Sequence, residues 1–153
     1  MQSHIILLVE DSDDDVFFMH YALKKAGISY PVHLAADGQE AVDYLTGTGK
    51  YSDRQAFPIP TLILLDLKLP FLSGFEVLAW MREQPTVRHV PVFILTGSSE
   101  ACDKEKAREL GAKGYFVKPP NEAMIHQIMG SLDSESALAA ASAGLQASEV
   151  SRA

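Results

Sequence analysis

Short apolar runs alternate with longer amphipathic stretches along most of this chain. Four runs, Ile5–Val9, Thr61–Leu65, Val92–Leu95 and Tyr115–Val117, are too short for helices of ordinary length. The first three are rich in Ile, Leu and Val without alternation, the pattern of strands buried on both faces of a parallel sheet. A weaker run, Val32–Ala35, alternates and follows Pro31, which places it on a sheet edge. Helical spacing fills the intervals. Val16, Met19, Leu23 and Ala26 form one stripe ahead of Gly27, a stop signal. Ala41, Tyr44 and Leu45 form a second, and Phe75, Leu78 and Ala79 a third. A mostly charged fourth helix is expected from Asp103 to Leu110, with Ala107 and Leu110 as its apolar contacts. The fifth begins at Asn121, a good N-cap, and aligns Ile125, Ile128, Met129 and Leu132. Five strands alternating with five helices predict an α/β domain, a doubly wound parallel sheet with helices on both faces.

Two segments fall outside that rhythm. Residues 46–60 make a connection near the upper length of structureless loops, so a specific role or a helical extension is expected there. Residues 133–153 are dominated by Ser and Ala, with Leu138, Leu145 and Val150 as the large aliphatics. The domain is thus expected over 1–132, followed by a tail that extends the last helix or stays disordered.

Composition narrows the function. A net charge of −7 argues against nucleic-acid binding, which needs a Lys/Arg-rich face to neutralise phosphates. Cys102 is the single cysteine, so no internal disulfide forms, in keeping with a reducing compartment. The first apolar run lacks a basic flank and a cleavage site, and no apolar run approaches the ~20 residues that span a bilayer. A soluble cytoplasmic protein is expected.

Open α/β sheets bind ligands beyond the carboxyl ends of their strands. Strand 1 ends in Glu10-Asp11, strand 3 in Asp66, strand 4 in Thr96 and strand 5 in Lys118. Three carboxylates, a hydroxyl and an ammonium therefore meet on one rim. A like-charged pair at 4 Å costs ~4 kcal/mol at an effective dielectric near 20, which no purely structural need explains. A divalent cation relieves it, and oxygen-only ligands suit Mg²⁺. Asp66 then serves as a carboxylate nucleophile towards phosphorus, with the metal and Lys118 holding the phosphoryl oxygens. Thr96 is a neutral donor able to turn towards them. Taken singly, each residue has a bland explanation: a helix cap, a turn carboxylate, a loop hydroxyl, a surface charge. All four strand ends together do not. Asp13, Asp14 and Asp15 are read as complements to the first helix's macrodipole. Gly47-Thr48-Gly49-Lys50-Tyr51 lacks the spacing of a phosphate loop, and the five histidines lack the spacing of a zinc site.

With Leu8-Val9-Glu10-Asp11, Leu64-Leu65-Asp66, Leu95-Thr96-Gly97 and Lys118-Pro119 in this order, residues 3–132 resemble the receiver domains of two-component response regulators. The resemblance implies a flavodoxin-like sheet of strand order 2-1-3-4-5 and phosphorylation of Asp66 by a sensor histidine kinase. It implies direct Mg²⁺ ligation by Asp11, Asp66 and the Lys68 carbonyl, with Glu10 acting through water. Thr96 and Tyr115 look like the switch pair, and the Lys118–Pro119 peptide is expected to be cis. The stretch 37–45, the long following loop and Val87–Val92 look like small regulators paired with phytochrome-type kinases. Ser73, where many members carry an acid before Gly74, and Lys68, two residues past the phosphoacceptor, depart from the pattern. No recognisable output domain follows residue 132, so signalling is expected through contact with a downstream protein. A homodimer through the face of helix 4, strand 5 and helix 5 is expected by the same likeness. Two other functions use similar groups: an aspartyl-phosphate phosphohydrolase or phosphotransferase, and a docking module indifferent to phosphorylation. Dehalogenase-type enzymes carry Asp-x-Asp on their first strand, whereas Asp66-Leu67-Lys68 lies on the third.

Overall fold

The computed structural model describes residues 3–133. The tail expected over 133–153 lies outside the described residues, except for Asp133 itself. Five strands, β1 (Ile6–Val9), β2 (Val32–Ala35), β3 (Leu62–Leu65), β4 (Val92–Thr96) and β5 (Gly114–Val117), form one parallel sheet of order β2-β1-β3-β4-β5. Helices α1 (Asp13–Lys25), α2 (Gly38–Thr46), α3 (Gly74–Arg82) and α4 (Ala101–Glu109) connect them, and α5 covers 122–133. This is the doubly wound architecture and strand order expected.

Burial explains why the three central runs are unbroken. Every residue of β1, β3 and β4 is buried, whereas β2 and β5, the two edges, are only partly covered. Successive side chains point to opposite faces. Leu7, Val9, Ile63, Leu65 and Ile94 accordingly pack with α2, α3 and α4. Ile6, Leu8, Leu62, Leu64, Phe93 and Leu95 pack with α1 and α5.

Helix starts follow local capping chemistry. Ser12 Oγ accepts from the Asp15 N–H, Asp37 Oδ1 from Glu40 and Asn121 Oδ1 from Met124. Ser73 closes a full capping box with Glu76, which gives this departure from the family pattern a structural role. On α3 the buried stripe is Gly74, Val77, Leu78 and Met81, while Ala79 faces solvent, one position away from the stripe expected. α4 begins two residues earlier than its charge pattern suggested, and only Ala107 is buried on it.

The 46–60 connection contains a 3-10 turn (Gly49–Tyr51) and serves as the C-terminal cap of α2. The Arg54 guanidinium donates to the carbonyls of Tyr44, Leu45 and Phe57 at 2.8–3.1 Å, satisfying acceptors that the helix end leaves open. Gly47 is left-handed at φ 78°, and a side chain there would meet the Arg54 guanidinium. Tyr51 and Phe57 pack edge-on to each other and around Tyr44, whose hydroxyl donates to the Pro58 carbonyl and is pushed by burial to a pKa of about 12.

Candidate functional site

The backbone ladder sets the site. Asp66 N–H donates to Val9 O and Glu10 N–H to Ala35 O, carrying the β1–β3 and β1–β2 pairings one residue past the strands. Lys118 N–H donates to Thr96 O at 2.8 Å and does the same between β5 and β4. Glu10, Asp66 and Lys118, just beyond three strand ends, are thereby held beside Thr96, the last residue of β4. Gly74 allows the next segment to close over them: a Cβ there would lie 2.2 Å from the Asp66 carbonyl oxygen. The Lys118–Pro119 peptide is cis, as the resemblance implied.

Lys118 is the hub. Its Nζ lies 2.7 Å from Glu10 Oε2, 2.7 Å from Asp15 Oδ2 and 2.9 Å from Asp66 Oδ2. Desolvation works against its charge, but the hydrogen bonds to Asp15, Glu10 and Asp66 outweigh it and hold its pKa above the usual lysine range. Glu10 moves the other way. Burial raises its carboxyl above the usual range and the Asp66 charge adds to the rise, while Lys118 pulls it back. Its second oxygen accepts from the N–H groups of Asp11 and Ser12. Asp66 Oδ1 accepts from Leu67 N–H at 2.7 Å, with Lys68 N–H at 3.5 Å. Both oxygens of Asp66 are therefore oriented.

Carboxylate oxygens of Glu10, Asp11 and Asp66 lie within 4.8 Å of one another, with Asp11 exposed to solvent. An all-oxygen set open on one side fits a hard divalent cation that keeps some of its waters. The remaining expected residues sit around this core. Thr96 is fully buried, and its Oγ1 has no hydrogen-bond partner among the described residues. The Tyr115 hydroxyl donates to Ser98 O at 2.8 Å, on the β4–α4 connection. Lys68 is exposed and makes no ion pair among the described residues.

Asp15 corrects the sequence reading. The sequence reads it with Asp13 and Asp14 as a complement to the helix dipole, yet its side chain reaches Lys118. No sequence signal singles it out, because an acid in the first turn of a helix already has a sufficient local explanation.

These features define a phosphoacceptor domain of the doubly wound class, and the chain belongs to the family described as the response regulator receiver domain, whose model matches residues 6–129. Response regulator Rcp1 from Synechocystis sp. (strain ATCC 27184 / PCC 6803 / Kazusa) is 38% identical over 117 residues, covering 76% of this chain and 78% of Rcp1. The solved bacteriophytochrome response regulator AtBRR is 38% identical at a TM-score of 0.76, covering 87% of this chain and 94% of that one. The Mn²⁺-bound form of Rcp1 is 35% identical at a TM-score of 0.70, covering 83% and 90%. Receiver domains are signalling modules phosphorylated on aspartate, so this chain is a phosphorylation-dependent switch. Among the described residues no helix is long and apolar enough to cross a membrane.

Proposed function

We propose that Asp66 is the phosphoacceptor of a cytoplasmic receiver occupying residues 1–132, with 133–153 as an appended tail. The observation that carries this is the orientation of the Asp66 carboxylate, fixed by Leu67 N–H on one oxygen and Lys118 on the other. Phosphoryl transfer forms a P–O bond to Asp66 and breaks the P–N bond of a phosphohistidine donor. Asp11, Asp66 and the Lys68 carbonyl would hold Mg²⁺, with Glu10 contributing through water, and the bound ion would supply positive charge against the phosphoryl oxygens. Lys118 then exchanges contacts with Asp66 for contacts with the phosphoryl group, and Thr96 donates its hydroxyl to it. Tyr115 leaves Ser98 as the β4–α4 connection moves.

The relatives favour a phytochrome-type histidine kinase as donor. The output is contact with a downstream protein, and the face formed by α4, β5 and α5 supports self-association. Apart from its own phosphorylation and slow dephosphorylation, the chain catalyses nothing. Asp66→Asn keeps the shape and removes the nucleophile, so it is expected to stay folded and take up no phosphoryl group from a small phosphodonor with Mg²⁺. A folded Asp66→Asn protein that still gains one equivalent would end the assignment, and multiple turnover by the unmodified chain would point to a phosphohydrolase.

A further inference from the structure

We infer that a cavity between α3 and α4, at the end of the sheet away from Asp66, binds a small phosphorylated organic anion of nucleotide size. The strands are all parallel, so the residues that precede them lie opposite the rim that carries Asp66. The cavity has a volume of about 440 Å³, whereas the crevice beside Lys118 holds about 10 Å³. Its lining comes from the end of α3, the segment leading into β4 and the turn after α4.

Its floor is apolar: Met81, Val90 and Val92 are buried there. Its margin is cationic, with Arg82, Arg88 and Lys113 exposed around it and His89 beside Arg88. No Asp or Glu lines it, in a chain of net charge −7. The guanidinium groups of Arg82 and Arg88 make no ion pair or hydrogen bond among the described residues. Arg82 stands in the last turn of α3, where a cation complements the helix dipole. That accounts for its charge and not for its placement. Gly111, at φ 97°, leaves the space over which the guanidinium lies, and a Cβ there would come within 2.4 Å of Arg82 Nη1. Arg88 belongs to no helix, so the dipole does not account for it at all.

Guanidinium groups present planar forks matched to phosphate oxygens. A phosphate alone would satisfy them and leave the floor bare. A volume in the ordinary range of ligand sites, roughly 300–1,000 Å³, with apolar floor and polar margin, suits a phosphate joined to a flat organic group.

The test is a titration of the full chain, followed by NMR in low-salt buffer with EDTA, against ADP, adenosine, pyrophosphate and inorganic phosphate. Removing metal leaves the Asp66 rim net acidic and repels anions from it. ADP is expected to saturate one site, shifting signals around Arg82, Val90 and Gly111, at a Kd of about 1 mM or tighter. Pyrophosphate and adenosine are expected to bind about tenfold more weakly. Arg88→Gln, a change of an exposed turn residue, is expected to weaken ADP about tenfold at an unchanged melting temperature, and Arg82→Gln similarly. Lys24→Gln, on exposed α1, is expected to change nothing. Phosphorylation of Arg88→Gln by a small phosphodonor should proceed as in the parent, which separates this site from the Asp66 assignment. The proposal is overturned by any of three results: no saturable binding of ADP up to about 10 mM, binding undiminished in both arginine variants, or pyrophosphate or adenosine binding as well as ADP.

Discussion

Around β1 and β3 a single ammonium answers three carboxylates at 2.7–2.9 Å, whereas at the end of β4 the Thr96 hydroxyl is fully buried with no partner among the described residues. Neighbouring strands of one sheet thus carry opposite states. On the first side the repulsion between acids is offset by Lys118, and the arrangement resists change. On the second, an unmet buried hydroxyl carries a cost of about 1–3 kcal/mol that an incoming acceptor would relieve. Tyr115, the other expected switch residue, is tied to Ser98 by one hydrogen bond on an otherwise polar connection, and α4 beside it buries only Ala107. The two sides divide the labour of a switch. In the switch proposed above, one would hold the chemistry in place and the other would rearrange.

The largest effect expected on this contrast comes from Lys118→Ala. Glu10 and Asp66 are each at most 7% exposed at the side chain, and they would lose their shared counter-charge. Removing one partner from a buried charge cluster costs about 3 kcal/mol or more. The variant is expected to fold with a lowered denaturation midpoint, to recover much of the loss when Mg²⁺ is added, and to transmit no signal after phosphorylation. Denaturant titrations with and without the metal check this. Equal losses in both conditions would mean that the acids do not depend on Lys118 for neutralisation.

Thr96→Val tests the other side and has the opposite sign. Replacing an unpartnered hydroxyl by a methyl is expected to stabilise the unphosphorylated domain by about 1 kcal/mol, read as a rise of a few degrees in melting temperature. The same variant should still accept a phosphoryl group but lose the difference in partner affinity between its two states. A drop in melting temperature would show that the hydroxyl is satisfied after all.

The same contrast separates what was legible in the sequence from what was not. The central strands and the converging strand ends could be read because unbroken apolar runs mark central strands and each run ends in a chemically distinct residue, whereas the strand order was implied by the family resemblance. Glu10, Asp11, Asp66 and Lys118 meet as expected for that reason. Asp15 was missed because charge at a helix start has a sufficient local explanation, and only the three-dimensional turn at Ser12 aims it at Lys118. The 46–60 connection was equally opaque. Arg54 caps α2 from eight residues beyond that helix, a long-range partner that no periodicity announces. On α3 the stripe shifted because Gly74 must face the Asp66 carbonyl, and that contact sets the helix's rotation.

Glu10→Gln probes the raised carboxyl directly. An acid whose folded pKa lies above its unfolded value weakens the fold when ionised. That penalty is fully present above the folded pKa and fades as pH falls towards the unfolded value of 4.5. The variant is therefore expected to be more stable than the parent at neutral pH without metal, with the difference shrinking on acidification. Loss of the acid's negative charge should weaken divalent-metal binding about tenfold. Stability curves at several pH values and a metal titration measure both, and a variant less stable at neutral pH would reverse the sign assigned to Glu10.

The smallest effect expected belongs to Lys68, which stands two residues beyond Asp66 at the mouth of the acidic cluster. Under the proposed assignment its carbonyl would hold the metal whatever the side chain is, leaving the ammonium to tune the field. Pairing with Glu10 would have cancelled its influence, but Glu10 is committed to Lys118 and Lys68 has no ion pair among the described residues. A unit charge roughly 8 Å from a divalent ion costs ~1 kcal/mol at a dielectric near 80. That corresponds to a metal affinity about fivefold weaker. Lys68→Asn is therefore expected to tighten Mg²⁺ binding several-fold in dilute buffer. Because Lys68 is exposed, the gain should shrink as salt shortens the screening length from about 30 Å at 0.01 M to about 8 Å at 0.15 M. A gain that persisted undiminished at high salt would point to a change in ligand geometry instead of a long-range charge, and no gain in dilute buffer would mean that the side chain turns away from the metal.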